Sequence, residues 1–203
     1  VAMIKVAAFD IGKVLLDFDY GIFVRHMAPR TRMDVAALDA FLNQSPLLAQ
    51  YESGQLTSLE FFTVIQKETS FDGTEAEFAA YFEDIFTPID EIIDLHANLA
   101  ASGFPTYTLS NTNEMAVRHI SRAYDFWPRF NGHILSHEVG SLKPNPKIYE
   151  IFEQTTGCQG NEILYLDDLP ENTVTAAARG WHTIEHRNGI ETAEAFERLG
   201  VLY

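Results

Sequence analysis

Three separate apolar runs in this chain end on an oxygen-bearing side chain, and that arrangement limits the available folds more than any other feature. Residues 4–9 (IKVAAF) run into Asp10, Thr106–Leu109 into Ser110, and Ile163–Leu166 into Asp167 and Asp168. Short, continuous apolar runs are the mark of strands buried on both faces of a parallel sheet. Helical patterns alternate with them. Ile92, Leu95 and Leu99 share a face closed by Gly103, and Glu114–Ala123 reads as a helix. Ile134-Leu135 reads as a further strand, and Asn145-Pro146 starts a helix that Gly157 ends. Pro170–Arg179 is closed by Gly180, and Trp181–Ile184 and Glu191–Leu199 supply a last strand and helix. Repeated strand–helix units predict an α/β fold with a doubly wound, mainly parallel sheet. Ligands bind such a sheet beyond the carboxyl ends of its strands. Asp10, Ser110, Asp167 and Asp168 are therefore expected to converge on one crevice.

The alternation is interrupted early. Leu15 and Leu16 read as a brief hairpin-like turn, and from Tyr20 to about Phe86 nothing reads as a strand. Tyr20, Phe23, Val24 and Met27 follow helical spacing, and Asp34 caps a pattern carrying Val35, Leu38 and Phe41. Ser45-Pro46 signals an N-cap followed by proline at the first helical position. Thr57–Glu60 and Thr74–Glu77 both match the capping box. The expected organisation is a core formed by residues 1–18 and 88–203, with a helical bundle inserted at 19–87. Most of the insert's aromatic residues (Phe61, Phe62, Phe71, Phe78, Tyr81, Phe82, Phe86) are expected to fill its interior.

Charge narrows the function. Among 203 residues, 14 Lys and Arg face 29 Asp and Glu, a formal net charge of −15. Such a surface repels nucleic acid and anionic membranes, so neither is an expected partner. A phosphorylated substrate would need positive charge supplied locally, by a metal ion or a well-placed lysine. No apolar stretch approaches the roughly 18 residues of a membrane span. Val1–Phe9 is apolar but short and lacks a basic leader, so a buried strand is expected instead of a signal peptide. The lone Cys158 rules out an internal disulfide and fits a cytoplasmic setting.

The converging residues suit one chemistry. Asp10 and Asp168 can share a hard cation with oxygen ligands, magnesium being the expected ion. A carboxylate can attack phosphorus and form an acyl phosphate, and Asp10 is the candidate nucleophile. Ser110 offers a hydroxyl, and Lys143 offers a point charge to the phosphoryl group. Taken singly, each residue has a plainer role. A strand-end Asp is as often a helix N-cap or a turn former. Ser110-Asn111 alone is a turn, and Lys143 before Pro144 alone is a solvated loop lysine. The adjacent Asp167-Asp168 pair is different, because neighbouring carboxylates repel unless a cation or donors compensate.

Four segments, FDIGKV (9–14), TLSNTN (108–113), KPNPKIY (143–149) and LYLDDLPEN (164–172), resemble in order and spacing the motifs of the haloacid dehalogenase-like superfamily. The helical insert falls where members with an alpha-helical cap after the first motif carry theirs. The resemblance implies a Rossmann-like core and a magnesium-dependent phosphatase acting on a small phosphorylated metabolite. It implies Asp10 as nucleophile, Ser110 and Lys143 on the phosphoryl group, and Asp168 with the Gly12 carbonyl as metal ligands. Asp167 is implied to act through metal-bound water or by orienting Lys143. Asn111, Gly12 and Lys13 are expected on the substrate side, and the segment Tyr51-Glu52-Ser53-Gly54 is expected to shape the pocket.

One position departs from the pattern. Phosphatases resembling this chain carry an aspartate two residues after the nucleophile as general acid and base, where this chain has Gly12. The form Asp-x-Gly-x-Val resembles a subgroup of bacterial sugar-phosphate phosphatases. Asp17, Asp19 and His26 are candidate substitutes, each with a structural alternative as a turn, hinge or helix residue. Lys13 either adds charge near the phosphate or faces solvent. The pairs His133/His137 and His182/His186 read as structural. A dehalogenase, a phosphomutase and a non-catalytic phosphatase-like binder are the competing functions. The Asp167-Asp168 pair argues against the first, and the missing acid argues against the second.

Overall fold

The computed structural model describes residues 3–201; Val1 and Ala2, at the start of the expected first strand, lie outside them. The strands are β1 (Val6–Phe9), β2 (Leu16–Phe18), β3 (Phe86–Pro88), β4 (Thr106–Ser110), β5 (Gly132–Leu135), β6 (Ile163–Asp167) and β7 (His182–Glu185). Five of them form a wholly parallel sheet in the order β5-β4-β1-β6-β7. The chain moves from β1 outward to β4 and β5, then returns to the other side of β1 for β6 and β7. The reversal lies at β1, so the carboxyl ends of β1, β4 and β6 border one crevice.

Both sheet faces are covered, which explains the continuous apolar runs. Val6, Ala8, Leu109, Ile134 and Tyr165 pack with Ile148, Tyr149, Phe152 and Trp181 on one side. Ala7, Phe9, Leu164 and Leu166 point the other way, into a larger cluster with Ile92, Leu95, Leu99 and Phe196. The helices on these faces are α6 (Asp90–Ala101), α7 (Glu114–Ala123), α8 (Ser136–Val139), α9 (Pro146–Thr156), α10 (Pro170–Ala178) and α11 (Gly189–Arg198).

Five helices form the insert: α1 (Tyr20–Met27), α2 (Val35–Gln44), α3 (Leu47–Glu52), α4 (Ser58–Thr69) and α5 (Glu75–Glu83). Asp19 and Asp34 cap α1 and α2, and both capping boxes form, on Thr57 and Thr74. Phe78 is fully buried, with ring centroids of Phe23, Phe61, Phe62 and Phe71 within 6.2 Å. The insert's apolar residues belong to the same cluster as one face of the sheet. Where the chain leaves the core and returns, β2 and β3 pair antiparallel, Asp17 opposite Thr87. Asp19 N–H to the Ile85 carbonyl (3.1 Å) and Ile89 N–H to the Leu15 carbonyl (2.9 Å) extend this ladder at both ends.

Several boundaries differ from expectation for local reasons. The Ser45 N–H still bonds the Phe41 carbonyl, so Ser45 closes α2 and α3 starts at Leu47, with Pro46 as its cap. The short α8, ended by Gly140 at φ 65°, leaves no mark in the sequence pattern, because four residues carry no periodicity. Asn188 accepts the Glu191 N–H and so starts α11 at Gly189.

Two histidines serve as neutral packing groups. His96 on α6 stacks on Phe130 at 3.8 Å and reaches the Thr106 hydroxyl at 3.0 Å. His133 on β5 stacks on Trp127 at 3.9 Å and meets the Thr108 hydroxyl at 3.0 Å. Burial pulls both imidazoles from 6.5 down to about 4, with Arg129 adding to the effect at His96. Between those values the unfolded chain binds protons that the folded chain refuses, so this part of the stability falls as pH falls from about 6.5 toward 4. Thermal melts across that window are expected to show a shallower acid slope in His96→Gln than in the parent. Equal slopes would mean that His96 is protonated in the fold.

Candidate active site

The ends of β1, β4 and β6 bring Asp10, Ser110 and Asp167 together, and the loop before α9 adds Lys143. Lys143 is the organising residue. Its side chain is 1% exposed, and its ammonium lies 2.6 Å from Asp167 Oδ2 and 3.0 Å from Asp10 Oδ1. Asn111 holds the Lys143 backbone from both sides, accepting its N–H at 2.7 Å and donating to its carbonyl at 3.0 Å. The Ile11 N–H donates to Asp10 Oδ1 at 2.8 Å. Asp167 accepts from Lys143, the Tyr165 hydroxyl, the Leu169 N–H and both-sidedly from Asn172. Asp10, Asp167 and Asp168 can each direct one oxygen so that all lie within 4.8 Å of one another.

These side chains coincide with the four sequence motifs, and the sequence profile of haloacid dehalogenase-like hydrolase matches residues 4–180. The chain is a haloacid dehalogenase-like hydrolase. D-ribitol-5-phosphate phosphatase of Bacteroides thetaiotaomicron is 24% identical over 206 residues, covering 93% of this chain and 95% of the relative. Sesquiterpene phosphatase astK of Aspergillus oryzae is 23% identical over 198 residues, covering 96% of each. Among solved structures, a haloacid dehalogenase-family enzyme of B. thetaiotaomicron, in complex with magnesium and inorganic phosphate, shares the fold with a TM-score of 0.80. It is 22% identical and is matched over 92% of this chain and 96% of its own.

The electrostatics of this hydrolase's crevice favour a cation. Burial raises the Asp10 carboxyl, Asp167 adds to the rise, and Lys143 opposes it. Burial and Asp167 also raise Asp168. Desolvation alone would lower the Lys143 ammonium, but the two aspartates outweigh it and hold it charged. Three carboxylates against one ammonium leave excess negative charge in a space of a few ångströms. All-oxygen donors carrying such charge fit a hard divalent ion. Asp167 is already saturated by its donors, so Asp10 and Asp168 are better placed as ligands.

Other sequence candidates lie where different partners hold them. Lys13, at φ 57°, pairs with Asp17, donates to the Phe18 carbonyl at 3.0 Å and covers the Phe18 ring at 4.7 Å. It also borders, with Asp17, Asp168 and Arg187, an open cavity of about 540 Å³. His26 lies 3.2 Å from Asp84 and stacks on Tyr81 within the insert. His186 bonds the Thr192 hydroxyl. Gly12 has a steric reason: a Cβ there would stand 2.8 Å from Cε1 of the Phe18 ring.

Three participants escaped the sequence reading. Tyr165 and Asn172 lie inside the quoted motif, but only the fold aims both at Asp167. Glu52, at the end of α3, comes from a segment singled out as pocket-forming, yet nothing in its spacing marked its carboxyl. Burial and the charge of Asp10 raise that carboxyl to about 7 against the pull of Lys143.

Removing Lys143 isolates the effect of its ion pairs. Lys143→Met leaves two buried carboxylates without their cation, a change expected to cost about 3–5 kcal/mol in urea unfolding at neutral pH. A loss below about 1 kcal/mol would show that the two ion pairs do not form.

Proposed function

We propose that this hydrolase cleaves small phosphate monoesters, with Asp10 as covalent nucleophile and Mg²⁺ as its metal. The observation that carries the reading is the Lys143 ammonium between Asp10 and Asp167, beside the free carboxylate of Asp168. A carboxylate nucleophile facing a trianionic reaction centre needs a fixed positive charge beside it, and Lys143 supplies one. The phosphatase names of both curated relatives support the choice of ester, and the magnesium–phosphate complex of the related fold supports the choice of ion.

In this reading an Asp10 carboxylate oxygen attacks phosphorus in line, and the bond to the leaving alcohol breaks. Water then cleaves the aspartyl phosphate and regenerates Asp10. Ser110 and Lys143 hold the phosphoryl oxygens, while Asp167 and Asn111 position Lys143. Asp10, Asp168 and the Gly12 carbonyl would hold the ion, which offsets the crowded negative charge and polarises the phosphoryl group. Residues 19–87 act as a cap over the core, moving about residues 17–20 and 86–89, and a closed cap favours a small metabolite such as a sugar phosphate over a macromolecule. Among the described residues no helix is long and apolar enough to cross a membrane. That fits a cytoplasmic enzyme, and the free Cys158 is in keeping with it.

The test is phosphate release from a panel of ribitol 5-phosphate, other sugar phosphates, a prenyl phosphate and p-nitrophenyl phosphate. Release is expected with magnesium, is lost in EDTA and returns when magnesium is restored. Asp10→Asn is expected to lower it by at least about 10³-fold, the scale of losing a covalent nucleophile. Release indifferent to the metal, or to Asp10, would overturn the mechanism.

A further inference from the structure

Deepening the phosphatase reading on which it rests, the geometry points to Glu52 as the group that protonates the leaving alcohol and deprotonates the attacking water. The position two residues after the nucleophile is Gly12, which carries no titratable side chain, and the Phe18 ring packs beside it. A proton donor must therefore come from elsewhere. Asp17 is paired with Lys13, His26 with Asp84, and Glu114 accepts from Ser58 at 2.5 Å.

Glu52 differs from all of these in how it is held. Its backbone carbonyl accepts from Ser136 Oγ at 2.5 Å, and Ser136 Oγ itself accepts the Thr112 N–H at 2.9 Å, just beyond the end of β4. On one side, the buried Tyr51 hydroxyl accepts the Met115 N–H at 3.0 Å at the start of α7. On the other, Gly54, at φ 72°, lies so close to the core that a Cβ would fall 2.2 Å from the His137 carbonyl oxygen. Three contacts thus fix the end of α3 against the carboxyl-end face of the sheet, where Asp10 and Ser110 lie. The Glu52 side chain is half-buried and takes no part in the ion pairs that hold Lys143. Its charge is nevertheless felt on both sides of the crevice. Asp10 and Lys143 act on it from the core, and it acts in turn on the buried Tyr20 hydroxyl of α1. Burial favours the protonated form of the Glu52 carboxyl, the form from which a proton donor starts.

The proton balance closes. As Asp10 attacks, the phosphorus–oxygen bond to the substrate breaks, and its electron pair goes to the leaving oxygen. That oxygen takes the Glu52 proton and departs as a neutral alcohol. In the second step water attacks phosphorus, gives one proton to Glu52, and the phosphorus–Asp10 bond breaks to release inorganic phosphate.

The test compares two leaving groups in the magnesium-loaded enzyme. An alkyl ester releases a poor, basic leaving group that needs a proton, whereas p-nitrophenolate leaves without one. In Glu52→Gln, kcat/KM for the fastest alkyl ester of the panel is expected to fall about 10²–10⁴-fold. The pre-steady-state burst of p-nitrophenolate is expected to change less than about tenfold, with steady-state turnover slowed. Formate added to Glu52→Ala, in case Gln perturbs folding, is expected to restore alkyl-ester turnover. Equal losses on burst and alkyl ester would make Glu52 a positioning residue, and no loss on either would remove it from the reaction; both outcomes overturn the proposal. Asp10→Asn separates the two readings. If wild-type release depends on Asp10, the phosphatase stands whatever Glu52 does. If wild-type protein releases phosphate from no ester, both fall together.

Discussion

A buried ammonium shared by two aspartates is the constraint around which this molecule is arranged. Lys143 is all but excluded from water, so its charge is tolerable only because Asp10 and Asp167 meet it directly. Each partner is in turn held by something else. Asp10 is fixed by the end of β1 and the Ile11 N–H, and Asp167 by the end of β6 with Tyr165, Asn172 and the Leu169 N–H. Asn111, just past the end of β4, grips the lysine's own backbone. Three adjacent strands therefore have to end in register for one side chain to be stable. The parallel sheet, with its reversal at β1, is the arrangement that delivers them.

That dependence explains what could be read from the sequence. The doubly wound core was legible because strands buried on both faces leave continuous apolar runs, and because the caps at Asp34, Thr57, Thr74 and Asn145 use local chemistry. Asp10, Ser110 and Asp167 were legible as strand ends. Their roles followed from a resemblance, since a lone strand-end carboxylate has plainer uses. The short β2–β3 pair was only hinted at by Leu15 and Leu16, because three-residue strands carry no measurable alternation. The segment holding Glu52 was singled out only through the resemblance, and its spacing did not mark the carboxyl, because its position depends on a contact between Ser136 and a backbone carbonyl 84 residues away. Lys13, close to Asp10 in sequence and read as either near the phosphate or facing solvent, has an ammonium that the fold directs to Asp17 and the Phe18 carbonyl.

Gly12 and Phe18 belong to one local solution. The ring that excludes a side chain at position 12 also receives the Lys13 ammonium on its face and pairs through β2 with Phe86. Replacing Gly12 alone would push against that ring, so the glycine is tied to the packing of the loop that follows Asp10. The departure from the family pattern is thus accommodated by neighbouring residues, as expected when a functional position and a packing position coincide.

The β2–β3 ladder has a different kind of consequence. Because the outgoing and returning chains are paired with each other at Asp17 and Thr87, the backbone crosses between core and insert at one narrow, closed neck, and the insert's other contacts with the core are made by side chains and by the end of α3. Such a junction holds Asp19 and Ile85 side by side, so the segment between them closes on itself without pulling the end of β1 away from the start of α6.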